Sequence, residues 1–139
     1  TMNTKLTESA ISKKTSAIMP VHLLGNPCDM NRLSKLTKNH NLVMVEDTCE
    51  AHGAEFGGKK VGSFGDMSTF SFFMSHHITT IEGGMLLTNN EQFYAAHSFH
   101  LDGTRERFLQ PVARLARPQL SQQAPNSEKF LDKVSLVTR

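Results

Sequence analysis

The feature that most constrains the fold is a run of four apolar residues at positions 42–45, Leu-Val-Met-Val. A helical pattern precedes it at 30–41, where apolar residues recur at helical spacing and Asp29 can cap the first turn. Another strand pattern precedes that helix at 17–21. Alternation of strand and helix with uninterrupted apolar strands is typical of a parallel sheet covered on both faces. The sequence therefore predicts an α/β fold whose ligands gather at the carboxyl ends of the strands.

The rest of the first hundred residues fits the same sheet. Glycines at 57, 58 and 62 predict a small hairpin over 55–62, because tight turns require positive φ. Further strands are predicted at 67–73 and 85–88, followed by a helix that Asn89 or Asn90 can cap and that reaches about His100. Residues 130–137 carry a weak helical pattern.

Composition excludes several classes of protein. The chain has 139 residues, of which 38% are hydrophobic and 20% charged, as in a soluble protein with one core. Its net charge of +2 comes from scattered residues without a basic block, which argues against nucleic acid as a partner. No apolar run approaches the ~20 residues of a membrane span. Cys28 and Cys49 stand alone, a pattern that fits reduced thiols in the cytoplasm better than a disulfide framework.

Two polar residues at predicted strand ends are candidates for binding a cofactor. Asp47 follows four apolar residues and a glutamate, so its carboxylate lies at the edge of a buried strand and needs a partner. A protonated pyridine nitrogen is a suitable partner, and a loop cap or a lysine pair is the alternative. Ser71 alternates with Phe70 and Phe72, so its hydroxyl faces away from both rings and can reach a phosphate oxygen. The alternative is a hydroxyl bonded to the backbone.

His76 is the candidate general base. It lies with His77 just beyond the predicted strand, and imidazole exchanges protons at neutral pH because its pKa is ~6.5. Metal ligation and a plain surface pair are the alternatives. Adjacent histidines lack the helical spacing at which two ligands face one metal, which weakens the metal hypothesis.

The order of these motifs resembles the DegT/StrS family of pyridoxal-phosphate-dependent nucleotide-sugar aminotransferases. The resemblance spans about residues 4–106 and rests on the segments 17–25, 46–54 and 61–72. It implies that the chain is the central part of the large domain of a fold type I pyridoxal-phosphate enzyme, with a mostly parallel sheet and helices on both faces. The implied cofactor is pyridoxal phosphate or pyridoxamine phosphate, and no metal is implied.

The resemblance also implies roles for individual residues. Asp47 pairs with the pyridine nitrogen of the cofactor, and Ser71 holds its phosphate. Glu50 stands where the family more often has a glutamine near the ring hydroxyl. His76 falls on the position of the family's Schiff-base lysine, and no lysine lies between residues 60 and 129 to replace it.

A histidine at the lysine position changes the reaction that the resemblance implies. A transaminase uses the lysine amine both to hold the cofactor covalently and to move a proton, and imidazole can do only the second. The Ser-His-His arrangement at 75–77 is similar to that of the family's sugar 3-dehydratases, which act on 4-keto-6-deoxy nucleotide sugars in deoxysugar and polysaccharide synthesis. These dehydratases are of two types, and one of them carries a cluster of cysteines for an iron–sulfur centre. The resemblance favours the type without this cluster, because no cysteine follows Cys49. A nucleotide-sugar aminotransferase and an inactive truncated fragment are the alternatives.

The resemblance divides the chain into two parts. Residues 1–108 form a partial pyridoxal-phosphate-binding large domain, and 109–139 form a tail unlike the family that we expect to be poorly ordered. Family members are much longer and bury their sites between two subunits, so the resemblance implies a homodimer for the full-length enzyme.

Overall fold

The computed structural model of the chain describes residues 1–94 and 134–137. Within these residues the structure has two α-helices that are described at both ends, a short 3₁₀ turn at Leu23–Gly25 and seven strands. The helices are α1 (Thr4–Ala10) and α2 (Met30–His40). The strands are β1 (Ala17–Ile18), β2 (Val43–Asp47), β3 (Glu55–Phe56), β4 (Lys59–Lys60), β5 (Met67–Ser71), β6 (Gly84–Thr88) and β7 (Val134–Val137). Residues 91–94 are also helical, and the remainder of the helix predicted to reach His100 lies outside the described residues.

The predicted helix α2 is confirmed at both ends. The Asp29 side chain accepts a hydrogen bond from the backbone N–H of Arg32 at 3.0 Å, which caps the first turn. Asn41 ends the helix in the left-handed conformation, with φ of 52°. The apolar face of α2 packs against β1 and β2 and forms the core with them. This core consists of Ile18, Cys28, Met30, Leu33, Leu36 and Met44.

The main sheet has the strand order β1-β2-β5-β6-β7. Strand β2 pairs parallel to β1 and β5, while β6 pairs antiparallel to β5 and β7. Four of the five strands therefore run in the same direction, and the predicted mostly parallel sheet is confirmed. The helix that the pattern at 130–137 indicates is wrong over Val134–Val137, because these residues form strand β7, which pairs with β6.

The two faces of this sheet differ in exposure. On one face the side chains are buried, namely Ile18, Met44, Glu46, Ser68, Met85 and Leu87. On the other face Val43, Val45 and Asp47 of β2 are only half-buried, as are Thr69 and Ser71 of β5. Polar side chains at the end of this second face are therefore open to a ligand.

The predicted hairpin is confirmed as β3 and β4. Its turn residues Gly57 and Gly58 have φ of 59° and 78°, as a two-residue turn between twisted strands requires. Among residues 1–94 and 134–137, no helix has the length and apolar character of a membrane span.

Candidate active site

Asp47 lies at the carboxyl end of β2, where both of its backbone groups bond to the segment that follows β1. Its N–H donates to Pro20 O at 2.9 Å, and its carbonyl accepts from His22 N–H at 3.0 Å. Its carboxylate Oδ1 accepts from Cys49 N–H at 3.1 Å. The side chain thus points from a fixed strand end onto the half-buried face.

Ser71 lies on the same face as Asp47, one strand away. Asp47 is paired in register with Thr69 of β5, and Ser71 follows Thr69 by two residues, so all three side chains share one face. Ser71 Oγ accepts a hydrogen bond from Phe73 N–H at 3.2 Å. Since the hydroxyl accepts there, its own proton remains available to donate. The structure therefore brings two of the predicted residues together at one edge.

Glu50 supports the neighbouring 3₁₀ turn. Its Oε2 accepts from Leu24 N–H at 2.9 Å, and Leu24 has the left-handed φ of 52°. A leucine in this region is uncommon and costs energy. Glu50 thus stabilises an unfavourable turn beside Asp47, a contact that the sequence did not predict.

His76 is half-buried on the loop that leaves β5 at the same edge. The backbone N–H of His76 donates to Phe73 O at 3.0 Å. Phe72 anchors the base of this loop, because its N–H donates to Gly83 O at 2.8 Å and its carbonyl accepts from Thr80 N–H at 2.9 Å. The predicted strand over 67–73 therefore ends at Ser71, and the loop begins directly after the proposed phosphate contact.

His52 lies next to this loop, and the sequence did not predict it as a residue of the site. Its ring centroid is 5.6 Å from that of His77 and 5.3 Å from that of Phe70, and both ring nitrogens are buried without a partner. Burial, and then the charges of His77 and His76, lower the pKa of His52 to about 4. His52 is therefore neutral near pH 7.

Glu46 is the second residue that sequence reasoning missed. Its carboxylate is fully buried and accepts four hydrogen bonds, with Oε1 bound to the N–H groups of Phe64 and Gly65 at 2.6 Å each. Oε2 accepts from Gly62 N–H at 2.7 Å and from His22 Nε2 at 3.1 Å. The only sequence signal is an acid at an inward-facing strand position.

The acidity of Glu46 follows from these donors. Burial alone raises the pKa of its carboxyl, but the hydrogen bonds from His22, Gly65, Gly62 and Phe64 together lower the pKa below its ordinary value of 4.5. The group is an anion held in place by backbone dipoles. It fastens the turn at 62–65 to β2, beside Asp47.

Cys49 is not an activated nucleophile. Burial, and then Asp47, raise the pKa of its thiol to about 11. A thiol with this pKa is protonated at neutral pH, and the thiolate is the reactive form. The chemistry of this edge therefore rests on carboxylate, hydroxyl and imidazole groups.

The fold and the edge define the class of protein. A mostly parallel sheet with polar residues at its carboxyl edge is the architecture of the large domain of fold type I pyridoxal-phosphate enzymes, and solved aminotransferases share it. The chain belongs to the DegT/DnrJ/EryC1/StrS aminotransferase family, whose model matches residues 1–129.

Curated relatives of two activities align with the chain. GDP-perosamine synthase of Escherichia coli is 54% identical over 87 residues, which are 63% of this chain and 24% of that protein. GDP-4-keto-6-deoxy-D-mannose 3-dehydratase of Yersinia pseudotuberculosis is 48% identical over 87 residues, which are 63% of this chain and 22% of that protein. The chain thus spans about a quarter of the length of these relatives. The division of the chain into a domain over 1–108 and a tail over 109–139 stays a prediction.

Solved structures give the same result. The Escherichia coli GDP-4-keto-6-deoxy-D-mannose-3-dehydratase with bound hydrated pyridoxal phosphate superposes with a TM-score of 0.62 and 41% identity. That match covers 67% of this chain and 24% of the other. PseC of Helicobacter pylori, an aminotransferase in pseudaminic acid biosynthesis, superposes with a TM-score of 0.70 and 33% identity, covering 73% and 27%.

The residues at this edge fit a pyridoxal-type cofactor. Asp47 supplies a carboxylate on the open face, suited to a ring N–H, and Ser71 retains a hydroxyl proton suited to a phosphate oxygen. His76 lies on the loop immediately beyond. This edge therefore offers an acceptor for a ring N–H and a donor for a phosphate oxygen.

Proposed function

We propose that this chain is the central part of a pyridoxal-phosphate or pyridoxamine-phosphate-dependent enzyme that acts on a 4-keto-6-deoxy nucleotide sugar, as a 3-dehydratase. The observation that carries the proposal is a histidine, His76, on the loop at the edge that holds Asp47 and Ser71, where the family resemblance leads us to expect a lysine. Its support is the register of β2 and β5, which gives these two side chains one face.

Each residue has a proposed task. Asp47 holds the proton on the pyridine nitrogen, which keeps the ring electron-withdrawing. Ser71 donates its hydroxyl proton to a phosphate oxygen. Glu50 contacts the ring hydroxyl through Oε1, because Oε2 is bonded to Leu24 N–H. When bound, the cofactor supplies an amine that condenses with the keto group and a ring that withdraws electrons from the adjacent carbon.

His76 is the proposed proton carrier. An imidazole nitrogen of His76 would take a proton from the carbon beside the amine and would give a proton to the hydroxyl at carbon 3 of the sugar, which would leave as water. Unlike a lysine amine, the imidazole forms no lasting bond to the cofactor. The site therefore holds its cofactor by Asp47 and Ser71 without a covalent link.

The biological setting belongs to the same proposal. The relatives include a lipopolysaccharide biosynthesis protein of Salmonella typhimurium, 34% identical over 110 residues. We propose a role in cell-surface polysaccharide synthesis and, for the whole enzyme, a cytoplasmic homodimer.

An aminotransferase is the second candidate. The perosamine synthase relative is somewhat more similar to this chain than the dehydratase relative is, at 54% against 48% identity. An aminotransferase of this family needs a lysine at the cofactor, and position 76 holds a histidine. The histidine at position 76 is therefore the reason for proposing the dehydratase first.

Reduction with sodium borohydride tests the proposal. The chain is incubated with pyridoxal phosphate, reduced, denatured and weighed by mass spectrometry, with His76→Lys as the matched variant. We expect no site-specific cofactor adduct in the wild type and a stable adduct at position 76 in the variant. If the wild type instead forms a cofactor adduct on a lysine, and this adduct depends on Asp47 and Ser71, the dehydratase assignment is contradicted. A protein that binds no cofactor contradicts both enzymatic candidates.

A further inference from the structure

We infer that His22 is a positioning residue for Asp47, acting through Glu46. The inference rests on the proposed function, because Asp47 is there the partner of the cofactor ring. It assigns a role to a histidine that has no place among the proposed cofactor contacts.

The tautomer of His22 follows from its partners. The backbone N–H of Cys28 donates to Nδ1 at 3.1 Å, so Nδ1 accepts and carries no proton. The ring proton of the neutral imidazole is therefore on Nε2, which lies 3.1 Å from Glu46 Oε2 and donates to it. Both side chains have no exposed surface, so water does not compete for these bonds.

His22 also bonds to Asp47 through its backbone. The His22 N–H donates to Asp47 O at 3.0 Å, while its ring binds the side chain of the preceding residue, Glu46. One residue thus fixes two consecutive positions at the end of β2. The segment that it anchors continues into the 3₁₀ turn, where Leu24 N–H binds Glu50.

These bonds set the direction in which the Asp47 carboxylate leaves the strand. Glu46 and Asp47 point to opposite faces, so a rotation of the strand end that releases Glu46 also turns Asp47. A rotated carboxylate no longer meets a ring held at Ser71, and small misplacements of such groups are costly. The His22–Glu46 pair therefore supports a cofactor contact that neither residue makes.

Two substitutions separate positioning from simple packing. In His22→Gln the amide nitrogen reaches the place of Nε2 and keeps the donor to Glu46. In His22→Asn the side-chain oxygen keeps the acceptor for Cys28 N–H but leaves Glu46 without its side-chain donor. The readouts on the full chain are the amide NMR signals of Asp47 and Gly62, the unfolding transition, and the affinity for pyridoxamine phosphate by fluorescence.

We expect His22→Asn to shift the amide signals of Asp47 and Gly62 and to weaken cofactor binding by about tenfold or more. We expect His22→Gln to restore both signals and to bind within about twofold of the wild type, since one donor replaces another. Wild-type affinity in folded His22→Asn overturns the inference, as does equal loss of folding in both variants. If the wild type itself binds no cofactor, the proposed function fails, while unshifted amide signals in His22→Asn separately contradict the positioning role.

Discussion

Replacing Glu46 with glutamine is expected to lower the free energy of unfolding by about 3–5 kcal/mol, a large part of the stability of a small domain. Each carboxylate oxygen accepts two N–H donors, from His22 and Gly62 at Oε2 and from Phe64 and Gly65 at Oε1. An amide replaces one oxygen with a donor, so two N–H groups that are buried or half-buried lose their acceptor whichever way it turns. Urea denaturation at pH 7 measures the difference.

Glu50→Gln is the matched control. Glu50 is only half-buried and binds a single backbone N–H, that of Leu24, so the amide oxygen can replace the carboxylate oxygen. We expect a cost within about 1 kcal/mol. If Glu46→Gln is no more destabilising than Glu50→Gln, the buried carboxylate does not hold this part of the fold together.

The same carboxylate gives a direction for the pH dependence. The pKa of Glu46 is lower in the folded state than its ordinary value of 4.5. Its contribution to stability is therefore complete above pH 4.5 and is lost as the pH falls through the lower, folded value. Glu46→Gln should remove this part of the acid dependence.

Replacing Gly65 with alanine is expected to cost about 2–3 kcal/mol, because the new methyl group meets backbone that cannot move aside. A Cβ on Gly65 would lie 2.6 Å from Met44 O. Met44 is clamped there, since its O accepts from Asp66 N–H at 2.8 Å and its N–H donates to Asp66 Oδ2 at 2.8 Å. Relief of the clash requires these bonds to lengthen. The thermal and urea midpoints measure the loss.

Gly58→Ala controls for the general effect of replacing glycine. Gly58 has φ of 78°, yet a Cβ there meets no atom within 4 Å. Its cost is the strain of a left-handed alanine, about 1 kcal/mol. Equal losses of stability in Gly65→Ala and Gly58→Ala would show that the turn at 62–65 rearranges at little cost and does not fix β2.

Local signals in the sequence predicted much of the fold. The cap at Asp29, the spacing of apolar residues in α2 and the glycines of the hairpin act within a few residues, so their patterns are visible in one chain. The placement of Asp47 and Ser71 at one edge followed from the strand pattern, because carboxyl ends of parallel strands meet. Their proposed roles came from the family resemblance.

Contacts between distant segments could not be predicted. Glu46 binds backbone N–H groups of residues 62–65, and a backbone donor leaves no trace in the pattern of side chains. In the sequence His22 is one of several scattered histidines, and its contact with Glu46 is visible only in the fold. Strand β7 depends on pairing with β6, a long-range interaction that overrides the local helical pattern. The apolar run at 42–45 predicted burial on both faces, whereas Val43 and Val45 are half-buried in the part of the chain that the structure describes.

We propose that one edge of the sheet holds a pyridoxal-type cofactor between Asp47, Ser71 and His76. The most direct measurement is a titration of the isotope-labelled chain with pyridoxamine phosphate, followed by NMR. We expect saturable shifts concentrated at these three residues, with residues 11–15 at the opposite edge unchanged. Shifts that do not saturate, or that appear at residues 11–15 and leave Asp47 and Ser71 unaltered, would contradict it.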